Sequence, residues 1–235
     1  MAKKIMYCVL DTETLGGAAQ PEGIYNLGAI ILDRTGKRYA TVNYLIAEHY
    51  DKILEKAYYA KKTFYRYNEM IAEGSISVVA TEQEMISALD NLLSFFNVKY
   101  VMAYNTFFDL VKTSCADLIK NREFIDIYQM ASEIIINRPS YKKYCVTNGF
   151  LTKKSNPKQG VEQVYGFLTN NPNFSEEHTA FSDAAQEMEI FLKCLQAHKK
   201  YSKNIHKCAD FDKKKKEKAP TLRQQFMEKY KKEAE

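Results

Sequence analysis

The stretch Ile5-Met6-Tyr7-Cys8-Val9-Leu10-Asp11-Thr12-Glu13 decides how the chain is read. Six apolar residues run without a break and end on two carboxylates two positions apart. A short, wholly apolar run of this kind predicts a strand buried on both faces. On a strand, residues two apart share a face, so Asp11 and Glu13 point the same way. Two carboxylates at one strand end do not both ionise cheaply without a cation beside them.

Outward from this stretch the pattern continues as strands. Gly16-Gly17 and Pro21-Glu22-Gly23 predict an irregular loop. Residues 27–32 predict a second strand, Asp33-Arg34-Thr35-Gly36 a hairpin turn, and residues 37–46 an antiparallel return. The opening is a three-stranded meander with the first strand central. From 49 to 73 the pattern is helical, with Ile53, Leu54, Ala57 and Tyr58 on one face and Gly74 as a stop. Thr81-Glu82-Gln83-Glu84 fits a capping box opening a helix that buries Met85, Leu89, Leu92, Leu93 and Phe96. Further strands are expected at 99–103 and 124–128, and helices at 106–120, after 128, at 161–168 and at 180–198. Strands that precede and then alternate with helices predict an α/β fold with a mixed sheet flanked by helices.

Composition sets bounds. The chain has 235 residues, 46% of them hydrophobic, which suits one domain with extensions. No apolar run approaches the roughly 20 residues of a membrane span, and the short run after Met1-Ala2-Lys3-Lys4 ends on Asp11, so an intracellular, cytoplasmic protein is expected. Five widely spaced cysteines without a C-x-x-C predict reduced thiols rather than a disulfide framework or zinc knuckle. The net charge of +5 is unevenly spread. Residues 199–235 hold 13 Lys and Arg against 6 Asp and Glu, leaving 21 against 23 in residues 1–198. The expected organisation is a folded body over 1–200, with residues 48–75 as a helical insertion and possible lid. A basic tail follows over 201–235, with a lysine run at 213–216 and a short helix around 221–232. Such a tail is either a polyanion-binding arm or a solvated end. The mixture of aromatic and basic residues from Tyr58 to Tyr67 suits single-stranded nucleic acid, or equally a helix with one buried aromatic face.

Two further segments carry candidate chemistry. In Ala103-Tyr104-Asn105-Thr106-Phe107-Phe108-Asp109, Asn105 is placed to cap a helix through its amide, and Asp109 lies one turn in among apolar neighbours. In His178-Thr179-Ala180-Phe181-Ser182-Asp183-Ala184, His178 precedes a helix and Asp183 lies inside it. Singly, each of these residues suits a cap, a turn or a surface. Together the carboxylates are hard oxygen ligands for Mg²⁺ or Mn²⁺, and histidine suits proton transfer near neutral pH.

These segments resemble the DEDDh 3′–5′ exonucleases, the family of proofreading exonuclease subunits and ribonuclease T. D-x-E matches Asp11-Thr12-Glu13, N-x-x-F-D matches Asn105 to Asp109, and H-x4-D followed by Ala matches His178 to Asp183-Ala184. The resemblance covers about residues 5–198 and all five signature positions; Thr14-Leu15-Gly16 departs from the Thr-Thr-Gly of many members. It implies a ribonuclease H-like fold and hydrolysis of DNA or RNA from a 3′ end, releasing nucleoside 5′-monophosphates. It also implies two divalent ions, Mg²⁺ or Mn²⁺, about 4 Å apart. By the same resemblance Asp11 bridges both ions, and Glu13 and Asp183 complete the one that holds the attacking water. Asp109 acts through a bound water on the other, and His178 accepts the proton. Thr14, Leu15, Tyr104, Asn105 and Phe108 would contact the terminal nucleotide. The expected partners are a single-stranded DNA or RNA 3′ end and a polymerase or other replication or RNA-processing protein, with a homodimer also allowed. The competing reading is a non-catalytic nucleic-acid-binding or polymerase-associated module on the same fold.

Overall fold

The computed structural model describes residues 4–17, 20–57, 60–197 and 205–206. The lysine run, the 221–232 helix and most of the basic tail lie outside the described residues, as do Tyr58 and Tyr59. In chain order the elements begin with β1 (Met6–Gly17), β2 (Gln20–Asp33), β3 (Arg38–Ile46), α1 (Ala47–Tyr50), α2 (Ile53–Lys56), α3 (Ala60–Ala72), β4 (Ser77–Val79) and α4 (Glu82–Phe95). β5 (Val98–Ala103), β6 (Glu123–Asp126), α5 (Ile127–Ala131), α6 (Pro139–Thr147), α7 (Val161–Thr169), α8 (Ala180–Gln196) and β7 (Ile205–His206) follow. Among the described residues the sheet has seven strands in the order β4-β3-β2-β1-β5-β6-β7. β1, β2 and β3 form the antiparallel meander, and β5 and β6 add parallel to β1. This mixed sheet with helices on its faces is the α/β arrangement expected, an antiparallel meander extended by parallel strands.

The unbroken apolar run of β1 now has its reason. The strand sits mid-sheet, and alternate residues enter separate cores. Tyr7 and Val9 join Ile30, Met102 and Phe191 beneath α5 to α8. Met6, Cys8 and Leu10 join Ala29, Leu89 and Phe124 beneath α4. Continuing the alternation, Asp11 and Glu13 face the α8 side.

Four expectations need correction. The glycines at 16, 17 and 23 do not form an irregular loop. Gly16 pairs with Pro21 and Gly17 with Gln20, so β1 and β2 run on as a long ladder, with register shifts after Glu13 and Leu15. The single helix expected over 106–120 is instead a π-helical turn (Phe108–Lys112) and a 3₁₀ helix (Ser114–Ile119), divided at Thr113, whose extended backbone and hydroxyl cap the second piece. The segment 49–73 divides into α1, α2 and α3. Its expected apolar face fails at Leu54, which is 56% exposed while Ile53 is buried. The helix expected after 128 is divided into α5, a π-helical turn (Ser132–Ile136) and α6. By contrast Thr81 caps α4 as expected, its hydroxyl accepting from Glu84 N at 3.1 Å; Glu84 returns to Ala80 N at 2.9 Å rather than to the cap residue itself. No helix among the described residues is long and apolar enough to cross a membrane.

Candidate active site

The middle of β1, just past the end of its parallel pairing with β5, and the segment that follows β5 open onto one cavity of about 210 Å³. Asp11 and Glu13 reach it from β1, and Asp109 from the π-helical turn that follows β5. His178 and Asp183 reach it from the loop and first turn of α8. The five signature residues, some 170 positions apart at the extremes, thus share one wall-to-wall space. Tyr104, Asn105 and Phe108 line it too. Thr14 and Leu15 do not: Leu15 is buried under the 47–72 segment, in a cluster with Tyr25, Ile53 and Tyr67.

Local interactions fix each group. Asp109 Oδ1 accepts from both Thr12 Oγ1 at 2.7 Å and Thr12 N at 3.2 Å, so the residue between the two first-motif carboxylates anchors the third. Glu13 Oε2 accepts from Tyr25 O–H at 3.4 Å. Asn105 adopts a left-handed φ of 69° and leaves its amide uncommitted to any cap; its carbonyl accepts from Phe108 N at 2.9 Å, opening the π-helical turn. His178 is also left-handed, with φ 58°, and Thr179, not His178, is the cap residue of α8. The His178 Nδ1 lies 4.0 Å from a Glu176 carboxylate oxygen.

Helix α8 reaches the sheet because of Gly28. This glycine pairs with Asp11 across the ladder. A Cβ there would lie 2.2 Å from the Phe181 backbone nitrogen. Only glycine lets the first turn of α8 rest on β2 beside Asp11. Asn26, fully buried, completes the joint: its Oδ1 accepts from Ala180 N at 2.8 Å and from Tyr67 O–H at 3.0 Å.

Sequence reasoning missed four contributors: Gly28, Thr12, Glu176 and Glu187. Glu176 and Glu187 line the same cavity. Glu187 is 2% exposed, and its Oε2 accepts from Tyr104 N at 2.9 Å. Its signal was available, since position 187 is one helical turn after 183 and shares its face. A glycine inside a predicted strand was the equivalent signal for Gly28.

The electrostatics are one-sided. Asp11 and Glu13 open partly onto the cavity, yet desolvation raises both well above the usual carboxylate range. The charges of Asp109 and Glu187 add to the effect on Asp11, and those of Asp183 and Asp109 to that on Glu13. Burial lifts Asp109 to about 7 against the opposing hydrogen bonds of Thr12. Burial, then Glu176, lifts Asp183 to about 8. Glu187 is raised as well, by burial first and then Asp109. Among the described residues, the lining of this cavity contains no lysine or arginine. One Asp183 oxygen, Oδ1, is buried with no hydrogen-bond partner among the described residues. Glu13, His178 and Asp183 each place a ligand atom within 4.8 Å of the others. Desolvated carboxylate oxygens, one without a donor, are a donor set that fits a hard divalent cation.

No family model matches the chain, and no curated protein sequence matches it. Among solved structures it is similar to the crystal structure of cell-death related nuclease 4 (CRN-4), with 11% identity and a TM-score of 0.48. The match covers 82% of this chain and 64% of that one, so the chain spans less than two thirds of that protein's length.

Proposed function

We propose that the chain is a metal-dependent 3′–5′ exonuclease that hydrolyses phosphodiester bonds of DNA or RNA and releases nucleoside 5′-monophosphates. The observation that carries this reading is convergence. Three segments far apart in sequence, each matching one DEDDh motif, bring four carboxylates and one imidazole to a single cavity in which an Asp183 oxygen has no partner.

Asp11, Glu13, Asp109 and Asp183 would hold two divalent ions, Mg²⁺ or Mn²⁺. When bound, such ions supply positive charge for a phosphoryl group and acidify water. Asp109 and Asp183, lifted by burial to about 7 and about 8, would give up their protons in holding such ions. His178 takes the proton of the attacking water. Its side chain is 10% exposed, and its Nδ1 lies 4.0 Å from a carboxyl oxygen of Glu176. Tyr104, Asn105 and Phe108 provide the face against which the terminal nucleotide lies, and Glu187 fixes the Tyr104 backbone from the helix that carries Asp183. The segment over 48–75, as a lid, and a polymerase or other processing protein, as partner, belong to the same proposal.

The test uses 3′-labelled and 5′-labelled single strands of DNA and RNA with Mg²⁺, Mn²⁺ or EDTA. Stepwise, metal-dependent loss from the 3′ end is expected. No loss in any metal removes the enzyme, and internal fragments or loss from the 5′ end remove the polarity.

A further inference from the structure

A second cavity of about 350 Å³ lies behind the wall of the first. The wall is the segment leading into α8, together with the first turns of that helix. Along the segment, Glu176 and His178 line the catalytic cavity, while Ser175 and Glu177 line the second. On the helix, Asp183 and Glu187 form one stripe and Ser182, Gln186 and Glu189 the other. A ligand behind this wall therefore presses on the backbone that aims His178 and Asp183.

The lining has a definite chemistry. Tyr165 and Phe174 form a tilted aromatic pair with centroids 4.7 Å apart. Gln186 is 7% exposed; its Nε2 donates to Ser182 Oγ at 3.2 Å, and its Oε1 is buried with no partner. A carbonyl so placed is costly unless something donates to it. Glu177 and Glu189 add acceptors, and Arg38 supplies the lone guanidinium of the lining. One cation against two carboxylates does not make a phosphate cradle, and the guanidinium disfavours a cationic guest. Aromatic faces with an excess of acceptors suit a neutral, planar, donor-rich molecule. Nucleobases are such molecules. Guanine, with its N1–H and exocyclic amine, presents two adjacent donors, where uracil and thymine have a single N–H.

We propose that the cavity bounded by Tyr165, Phe174, Gln186 and Glu189 is a second nucleobase subsite, selective for donor-rich bases and guanine above all. The choice of ligand class rests on the exonuclease reading. Its source is either a base of the substrate strand or a free mononucleotide.

The experiment is titration calorimetry of the full chain in EDTA, which silences metal-dependent hydrolysis and phosphate capture in the neighbouring cavity. Guanosine 5′-monophosphate is expected to bind on the order of tenfold more tightly than uridine 5′-monophosphate, the size of one good bidentate contact. Phe174→Ala should weaken it by about tenfold, the loss of one stacking face. Gln186→Leu should reduce the preference; if that variant melts early, the exposed positions Arg38→Ala and Glu189→Gln decide instead. Equal affinity for both nucleotides, affinity untouched by Phe174→Ala and Glu189→Gln, or tighter binding of free arginine overturns the proposal. A short guanine-containing strand separates the sources. Weakening of strand and mononucleotide together by Phe174→Ala assigns the subsite to the strand, and weakening of the mononucleotide alone assigns it to free nucleotide. Guanine-selective binding without 3′ hydrolysis would keep the subsite and discard the exonuclease. Hydrolysis without such binding would do the reverse.

Discussion

The β1–β2 ladder carries one carboxylate at its end and another at its middle, and it treats them in opposite ways. At one end Asp33, 1% exposed, faces Met6 across the ladder. It accepts from Thr35 N at 2.7 Å, Tyr39 O–H at 3.0 Å and Lys4 Nζ at 2.5 Å. Burial pushes its pKa up, but Lys4, Thr35 and Tyr39 outweigh that and hold it below the usual carboxylate range. Midway along it Asp11 faces Gly28, with Glu13, Asp109, Asp183 and Glu187 around it and, among the described residues, no lysine or arginine in the lining. There burial and neighbouring charge both push upward. Asp33 is compensated by its own fold and works as a structural tie. The Asp11 cluster has no such ionic partner among the described residues, which is what the proposed cation would supply.

Substitution at the two positions should break the comparison if it is wrong. The largest effect expected is from Asp11→Asn: activity falls by about three orders of magnitude or more, while metal-free stability stays level or rises because an uncompensated charge is gone. Asp33→Asn should do the opposite, costing about 1–3 kcal/mol in urea unfolding with activity per folded molecule retained. Equal destabilisation by both changes would make Asp11 structural.

His178→Ala comes next, with turnover slower by about two to four orders of magnitude and divalent-ion affinity nearly unchanged. A near wild-type rate would remove the histidine from proton transfer. Gly28→Ala tests the joint between the strand and α8. With backbone 2.2 Å from the new Cβ, a loss of about 1–3 kcal/mol or more is expected, together with weaker Mn²⁺ binding. Normal melting and binding would show that α8 can move away at no cost.

The smallest effect is on pH dependence. Folded-state pKa values of about 7 at Asp109 and about 8 at Asp183 lie above those of the unfolded chain, so the folded state binds more protons. Metal-free stability is therefore highest at low pH and declines as pH rises from about 4 to 8, the reverse of a salt-bridged acid such as Asp33. Thermal melts in EDTA across that range measure it. Mn²⁺ should raise the melting temperature more at pH 8 than at pH 5, because at pH 5 protons already occupy the site. A flat profile in EDTA would mean that the cluster is not strained by its own charge.

Much of this site was legible in the sequence because its signals are local. An apolar run followed by D-x-E, an aspartate after a second strand, and a histidine five residues before an aspartate can each be seen in a short window. The contributors that escaped depend on contacts between windows. Thr12 matters through Asp109, 97 positions away. Gly28 matters because α8 lands on it. Leu15 looked like a nucleotide contact, yet the 47–72 segment covers it. The expected helix over 106–120 gave way to π and 3₁₀ turns, where Asp109 must keep its bonds to Thr12 while Thr113 begins a new cap.

By itself the sequence determined the mixed α/β architecture, the central place of β1, and which carboxylates and which histidine carry the candidate chemistry. Alternation along a strand and motif spacing are properties of the chain alone. Only the tertiary structure decided that these groups meet without a compensating cation, that Glu176 and Glu187 join them, and that a second cavity shares their wall. Charge balance and shared walls are set by which residues fold to within a few ångströms of one another, and sequence distance does not specify that.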